Sequence, residues 1–183
     1  MVNDIALPLA KKMKARFGIP YVHFNKLFPY RRFTEVTKNF FEYLGVPLPE
    51  EIAAYYDEAK EAVTAAGKNL GGISYIYGNT PYYCFEMNAF LASLGMVPQV
   101  IQTNRFSEED AAYVQEILKH NDPLVCKAAN IAPMQYVYDE LHPWLYMGHE
   151  FGARLRKKGI AIVHSDAAGS MLGFEVTNYL LSR

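Results

Sequence analysis

The chain has 183 residues, 51% of them hydrophobic and 20% charged, and a formal net charge of −1. That balance excludes a disordered chain, and the near-neutral charge excludes a nucleic-acid surface or a polybasic membrane patch. No run of about eighteen apolar residues occurs, so no membrane-spanning helix is expected.

The N-terminal part reads helix, strand, helix, helix. Ile5, Leu9 and Met13 recur at a spacing of four and lay an apolar stripe along a helix from Ile5 to Arg16. Pro8 falls in its first turn, where a missing N–H costs little, and Gly18 ends it. Lys11-Lys12 follow this apolar stretch, whereas a secretory signal has its cations first. Ile19 to Phe24 is expected as a short strand that begins with proline. Thr34 looks like the N-cap of a helix carrying Val36, Phe40 and Leu44, stopped by Gly45. Pro47 to Ala66 is a longer amphipathic helix with acids in its first turn.

From Gly72 on, strands and helices alternate five times with short connections. The expected strands are Ile73–Tyr77, Val97–Thr103, Leu124–Cys126, Trp144–Gly148 and Ile160–His164. The expected helices are Tyr82–Leu94, Ser107–His120, Pro133–Leu141, Phe151–Lys158 and Gly173–Leu181. Such alternation predicts a Rossmann-like three-layer α/β domain with a mainly parallel sheet, covered on both faces. The expected division is residues 1–66 as the remnant of a preceding α/β domain plus a linking helix, and 67–183 as the Rossmann-like domain.

Ligands of open parallel sheets bind beyond the carboxyl ends of the strands. Those ends are Gly78-Asn79-Thr80, Thr103-Asn104-Arg105, Lys127 to Asn130, Gly148-His149-Glu150 and His164-Ser165-Asp166. There is no GxGxxG, Walker A loop, GxSxG or HExxH. Gly169 to Gly173 forms a GxxxG that suits close packing or an anion nest. His149 and His164, beside Glu150 and Asp166, point to metal or acid–base work, with hydrogen-bonded scaffolding as the plainer reading. His120 reads as a surface residue, and His142, before Pro143, as part of a turn.

The two cysteines, Cys84 and Cys126, have apolar neighbours and no CxxC spacing. They read as buried thiols of a cytoplasmic protein, not a disulfide framework or zinc site. Arg154 to Lys158 reads as the solvated end of a helix. Fourteen Tyr, eleven Phe and one Trp supply surface to fill a core or to meet a partner chain, so an oligomer is expected.

The order of these features resembles the component 1 proteins of nitrogenase, the molybdenum–iron protein α-subunit and its relatives, over nearly the whole chain. Lys12 to Val22 resembles that family's helix, GIP and aromatic sequence. Tyr75-Ile-Tyr-Gly78 with Phe90 to Met96 resembles a strand and helix of its third domain. The most specific stretch is Lys158 to Asp166 with Gly169 and Gly173-Phe174, which resembles the family's closing strand, glycine-rich turn and helix.

The resemblance implies an oxidoreductase subunit that helps enclose a metal–sulfur cluster or related metallocofactor, with His164 as metal ligand. It implies Gly78, Asn79, Thr80, His149, Glu150, Ser165, Asp166 and Gly169 around that cofactor. The implied partners are a homologous component 1 subunit and an ATP-dependent iron–sulfur reductase, and the chain alone is expected to be inactive. The departures are specific. The family's cluster-ligating cysteine would fall near Val2, Thr80 matches an arginine, and Glu150 or His149 matches a lysine. The N-terminal part with the cysteines of the second cluster is expected to be missing. Two further functions stand beside the reductase: a scaffold that carries a cofactor precursor, and a non-catalytic Rossmann-like binding domain in which His164 is structural.

Overall fold

The computed structural model describes residues 6–24, 30–78, 84–127, 130–164, 171 and 173–182. The chain divides into two compact units, one of Met1–Ala62 with Met171–Ser182 and one dominated by Val63–Ser170.

The first unit is helical. Helix α1 (Leu7–Phe17) ends at Gly18 in the left-handed conformation, as its sequence predicts. Leu7 is its buried residue; Leu9, Met13 and Phe17 are exposed, so the apolar stripe does not face this core. Residues 18–24 form no strand, contrary to expectation. Pro20 removes a ladder donor there, and all the strands paired in the sheet come from later in the chain. Helix α2 (Tyr30–Leu44) starts four residues before Thr34, which is therefore not its cap. Helix α3 (Glu50–Leu70) carries Glu50 and Glu51 in its first turn and runs past Ala66 without a break at Gly67.

The closing helix, α8 (Phe174–Leu181), packs on α2 within this unit. Aromatic rings form the junction. Phe33 meets Phe174 edge-on at 4.7 Å, Phe24 meets Phe40 at 5.5 Å, and Tyr55 stacks on Phe174 at 6.4 Å. Part of the aromatic surplus thus packs as half-buried rings around the buried Phe174, where edge-to-face pairs add to area burial.

The second unit is built on five parallel strands: β1 (Ser74–Tyr77), β2 (Val97–Thr103), β3 (Leu124–Lys127), β4 (Leu145–Met147) and β5 (Ala161–Val163). Their order is β3-β2-β1-β4-β5, so the chain winds outward from β1 through β2 and β3, then returns to lay β4 and β5 on the other side. The β1–β2 register shifts after the Tyr75–Pro98 pair. Pro98 has no N–H to give the ladder, and the irregularity falls before β2 gains its second neighbour at Val100.

Helix α4 (Cys84–Ser93) is mostly apolar and buried from Cys84 to Ala92, Glu86 and Asn88 included. A 3₁₀ turn (Glu108–Asp110) leads into α5 (Ala111–Leu118), and Ser107 and Asp110 close a capping box at its start. Helix α6 (Ile131–Leu141) begins before Pro133, capped by the Asn130 side chain. Helix α7 (Gly152–Lys157) ends in exposed Arg156 and Lys157, and Lys158 pairs with Asp139 of α6. One core joins Ile76, Val100, Met134, Tyr138, Tyr146, Leu155 and Ile160, which come from the sheet, α6, α7 and the residue just before β5.

Candidate functional site

The strand order creates a reversal between β1 and β4, the point beyond which open α/β sheets bind their ligands. The backbone ladder continues past the strands at that point. Gly78 N–H donates to Met147 O at 2.7 Å, and Gly148 N–H donates to Val163 O at 3.1 Å. Both glycines are required sterically. A Cβ on Gly78 would sit 1.8 Å from the Tyr146 hydroxyl, and one on Gly148, at φ +133°, would sit 2.1 Å from Gly78 O. The Tyr146 ring is buried against Tyr138, with ring centroids 5.7 Å apart. Burial, followed by the nearby Tyr138 hydroxyl and Glu150 carboxylate, pushes the Tyr146 phenol pKa up and keeps it neutral.

Next to this closed centre, the β4 and β5 ends are open. Met147 pairs with Val163, so His149 and His164 emerge from adjacent strands. Their rings stand 6.4 Å apart between centroids, tilted by 51°, and both are exposed. Glu150 is half-buried and already engaged: one oxygen accepts the Phe151 N–H at 2.8 Å and the other accepts from Gln135 Nε2 at 3.4 Å.

The ends of β2 and β3 serve the fold. Thr103 Oγ1 donates to Arg105 O at 2.6 Å and accepts the Arg105 N–H at 3.2 Å, closing a turn. Asn130 accepts from the Ala132 N–H at 3.1 Å as the α6 cap. Among the expected site residues, the structure brings Gly78, His149, Glu150 and His164 to one edge. Asn79, Thr80, Ser165, Asp166 and Gly169 lie outside the described residues, as does Val2.

A polar chain in the core was not apparent from the sequence. Tyr75 Oη donates to Asn88 Oδ1 at 2.8 Å, Asn88 Nδ2 to Cys84 O at 2.7 Å, and the Cys84 thiol to Gln102 O at 3.6 Å. Gln102 Nε2 in turn donates to Tyr138 Oη at 3.0 Å. Burial pushes the Cys84 thiol up to about 12, as for an inert buried cysteine. Cys126 stands on β3, at the far edge of the sheet from the histidines. Among the described residues, no group of three or more His, Cys, Asp or Glu is placed to hold a metal ion.

The fold and this edge define a Rossmann-like parallel α/β domain with two imidazoles beside its topological switch point. The chain belongs to the nitrogenase component 1 type oxidoreductase family, whose profile matches residues 1–183. The fold is similar to that of a solved nitrogenase Cp1 at pH 6.5, with TM-score 0.76 and 14% identity over 94% of this chain. A nitrogenase Cp1 structure at pH 5 gives TM-score 0.66 and 17% identity over 96% of this chain. The chain spans 41% and 44% of the lengths of those two structures. No curated protein matches it. No described helix is long and apolar enough to cross a membrane.

Proposed function

We propose that this chain is part of a nitrogenase-like oxidoreductase subunit whose carboxyl edge at β1, β4 and β5 faces a metallocofactor or a reducible substrate. The observation that supports it is the exposure of His149 and His164, 6.4 Å apart, beside the switch point of the sheet. In this reading His164 is a metal ligand. Gly78, His149 and Glu150 lie at the same edge, and the reading also assigns Asn79, Thr80, Ser165, Asp166 and Gly169, outside the described residues, to the surroundings of the cofactor.

The donors at this edge fit a metal bound through imidazole, a ligand suited to iron, nickel, copper and zinc. They do not fit a cluster held by thiolates of the described residues, because Cys84 is buried and protonated and Cys126 is at the opposite edge. Such a cofactor supplies electrons when bound. This chain contributes an imidazole, a tight glycine floor and the neutral Tyr146 beneath it. A homologous component 1 subunit and an iron–sulfur reductase are the proposed partners, and turnover belongs to that assembly.

Metal and acid-labile sulfide analysis, with electron paramagnetic resonance, on protein expressed from its natural reading frame and purified anaerobically tests the reading. A metal centre whose spectrum changes in His164→Ala is expected; protein that never carries a metal centre would refute it. The exposure of both rings also suits a carrier that must release its cargo. Reduced product formed with a reductase partner selects the enzyme, and transfer of cofactor to an acceptor selects the carrier.

A further inference from the structure

We propose that the free edge of β3 pairs with β3 of a second copy of this chain, antiparallel and about a two-fold axis normal to the sheet. The proposal goes beyond the reading above and does not rest on it, because β3 and β5 are opposite edges of the sheet. Among the described residues β3 has one neighbour, β2, through the pairs from Val100–Leu124 to Thr103–Lys127. In a parallel ladder alternate residues turn their N–H and C=O away from the neighbour. On an edge strand those groups are left to a further strand.

The two edges of the sheet differ in what surrounds these groups. On β5, Ala161 is exposed but small, and Ile162 and Val163 are half-buried. On β3, Leu124 is 59% exposed and Val125 53%, one on each face of the strand. Sheet edges are ordinarily blunted by charge, proline, a bulge or a covering element. Here Pro123 and Lys127 stand at the ends of the strand, and nothing charged lies between them.

The chemistry of the strand selects a copy of itself. Asp122 leads into β3, Lys127 closes it, and both are exposed. An antiparallel copy brings each Asp122 beside the other copy's Lys127, whereas a parallel one would set like charge against like. Residues directly opposite in an antiparallel pair share a face, so the two-fold axis passes between identical residues. Centring on Val125 sets Val125 against Val125 and Leu124 against Cys126. Centring on Cys126 would set Val125 against Lys127, and centring on Leu124 would set Cys126 against Asp122. The Val125 register alone keeps apolar groups on apolar groups. Such short strands make a small interface, so the dimer belongs to the weak, concentration-dependent class.

Sedimentation equilibrium of the protein expressed from its natural reading frame tests the pairing. A monomer–dimer equilibrium in the micromolar range is expected, with amide exchange of Leu124 to Lys127 slowing as concentration rises. Val125→Lys should weaken the dimer by about tenfold or more, since it sets like charges opposite each other at the axis. Asp122→Lys should weaken it several-fold, and adding Lys127→Asp to that chain should restore it. Val125→Cys in a Cys126→Ser chain should form an intermolecular disulfide under mild oxidation, because directly opposite Cα atoms lie about 4.5–5.5 Å apart. The unaltered chain should not, since each Cys126 lies about 8 Å from its own copy, beyond disulfide reach. The charge-swap and cysteine chains decide the matter where Val125→Lys fails to fold. A monomer mass throughout the micromolar range, a dimer that Val125→Lys leaves unchanged, or a charge swap no tighter than the single reversal would overturn the proposal. Protection of β3 that appears only when a different polypeptide is added would overturn it too, by making that polypeptide the occupant.

Discussion

The carboxyl edge of the sheet has a closed centre and an open flank, and the two are built on different physics. At β1 and β4, Gly78 and Gly148 bring backbone against backbone and leave the Tyr146 hydroxyl in the space a side chain would fill. At β4 and β5, one residue further along the same ladder, His149 and His164 are exposed, with ring centroids 6.4 Å apart. The comparison separates rigidity from chemistry. The centre fixes where the strand ends lie, and the flank presents groups that can bind.

If that division is right, changes at the centre cost stability and changes at the flank cost binding. The largest effect is expected for Gly148→Ala. It places a Cβ 2.1 Å from Gly78 O at φ +133°, so left-handed strain and overpacking add to about 3–5 kcal/mol. Urea denaturation measures it, and a loss below about 1 kcal/mol would show that the centre is not closed.

Alkali gives the next effect. Burial raises the Cys84 thiol from its ordinary 9.0 to about 12, so above pH 9 the unfolded chain ionises while the folded one does not. The folded form then holds more protons, and stability falls as pH rises, fully present below 9.0 and lost by about 12. Three pH units set an upper bound of about 4 kcal/mol for this one group. Denaturation midpoints at stepped pH read the slope, which Cys84→Ala should flatten. Tyr75, raised well above 10.0 chiefly by burial, acts in the same direction.

Gly78→Ala should cost about 2 kcal/mol, because the Tyr146 ring must swing off its seat against Tyr138. Tyr146→Leu in the same chain should return part of that loss; strictly additive losses in the double variant would mean the two residues do not compete for space. The smallest effect is expected at the flank. His149→Ala and His164→Ala should change stability by less than about 0.5 kcal/mol, the usual range for exposed positions. A destabilisation of about 2 kcal/mol or more at either, well outside that range, would make the histidines scaffolding and erase the contrast.

Much of the parallel sheet was legible in the sequence because its strands are short apolar runs punctuated by glycine and caps. Val97–Thr103 forms as read. Legibility failed where local signals had no tertiary partner. Ile19 to Phe24 is apolar and β-prone, yet forms no strand. Thr34 has the chemistry of a cap, but α2 begins at Tyr30. His142 takes a left-handed φ of 46° to end α6, a role usually given to glycine or asparagine and so not signalled by its residue type. At the site, His149, His164 and Glu150 were readable as strand-end residues. The steric need for Gly78 and Gly148 was not, because it depends on which strands are neighbours.

The sequence by itself determined the class of fold, the polar carboxyl ends and the candidate imidazoles, since these follow from apolar periodicity and from which residues interrupt it. Tertiary structure alone decided the strand order β3-β2-β1-β4-β5, and with it the placing of β1 beside β4 and of His149 beside His164. It also decided that Phe174 packs its ring against Phe33 and Tyr55. Periodicity along a chain records which face of an element is buried. It does not record which other element covers that face, because that choice is made by packing between residues far apart in sequence.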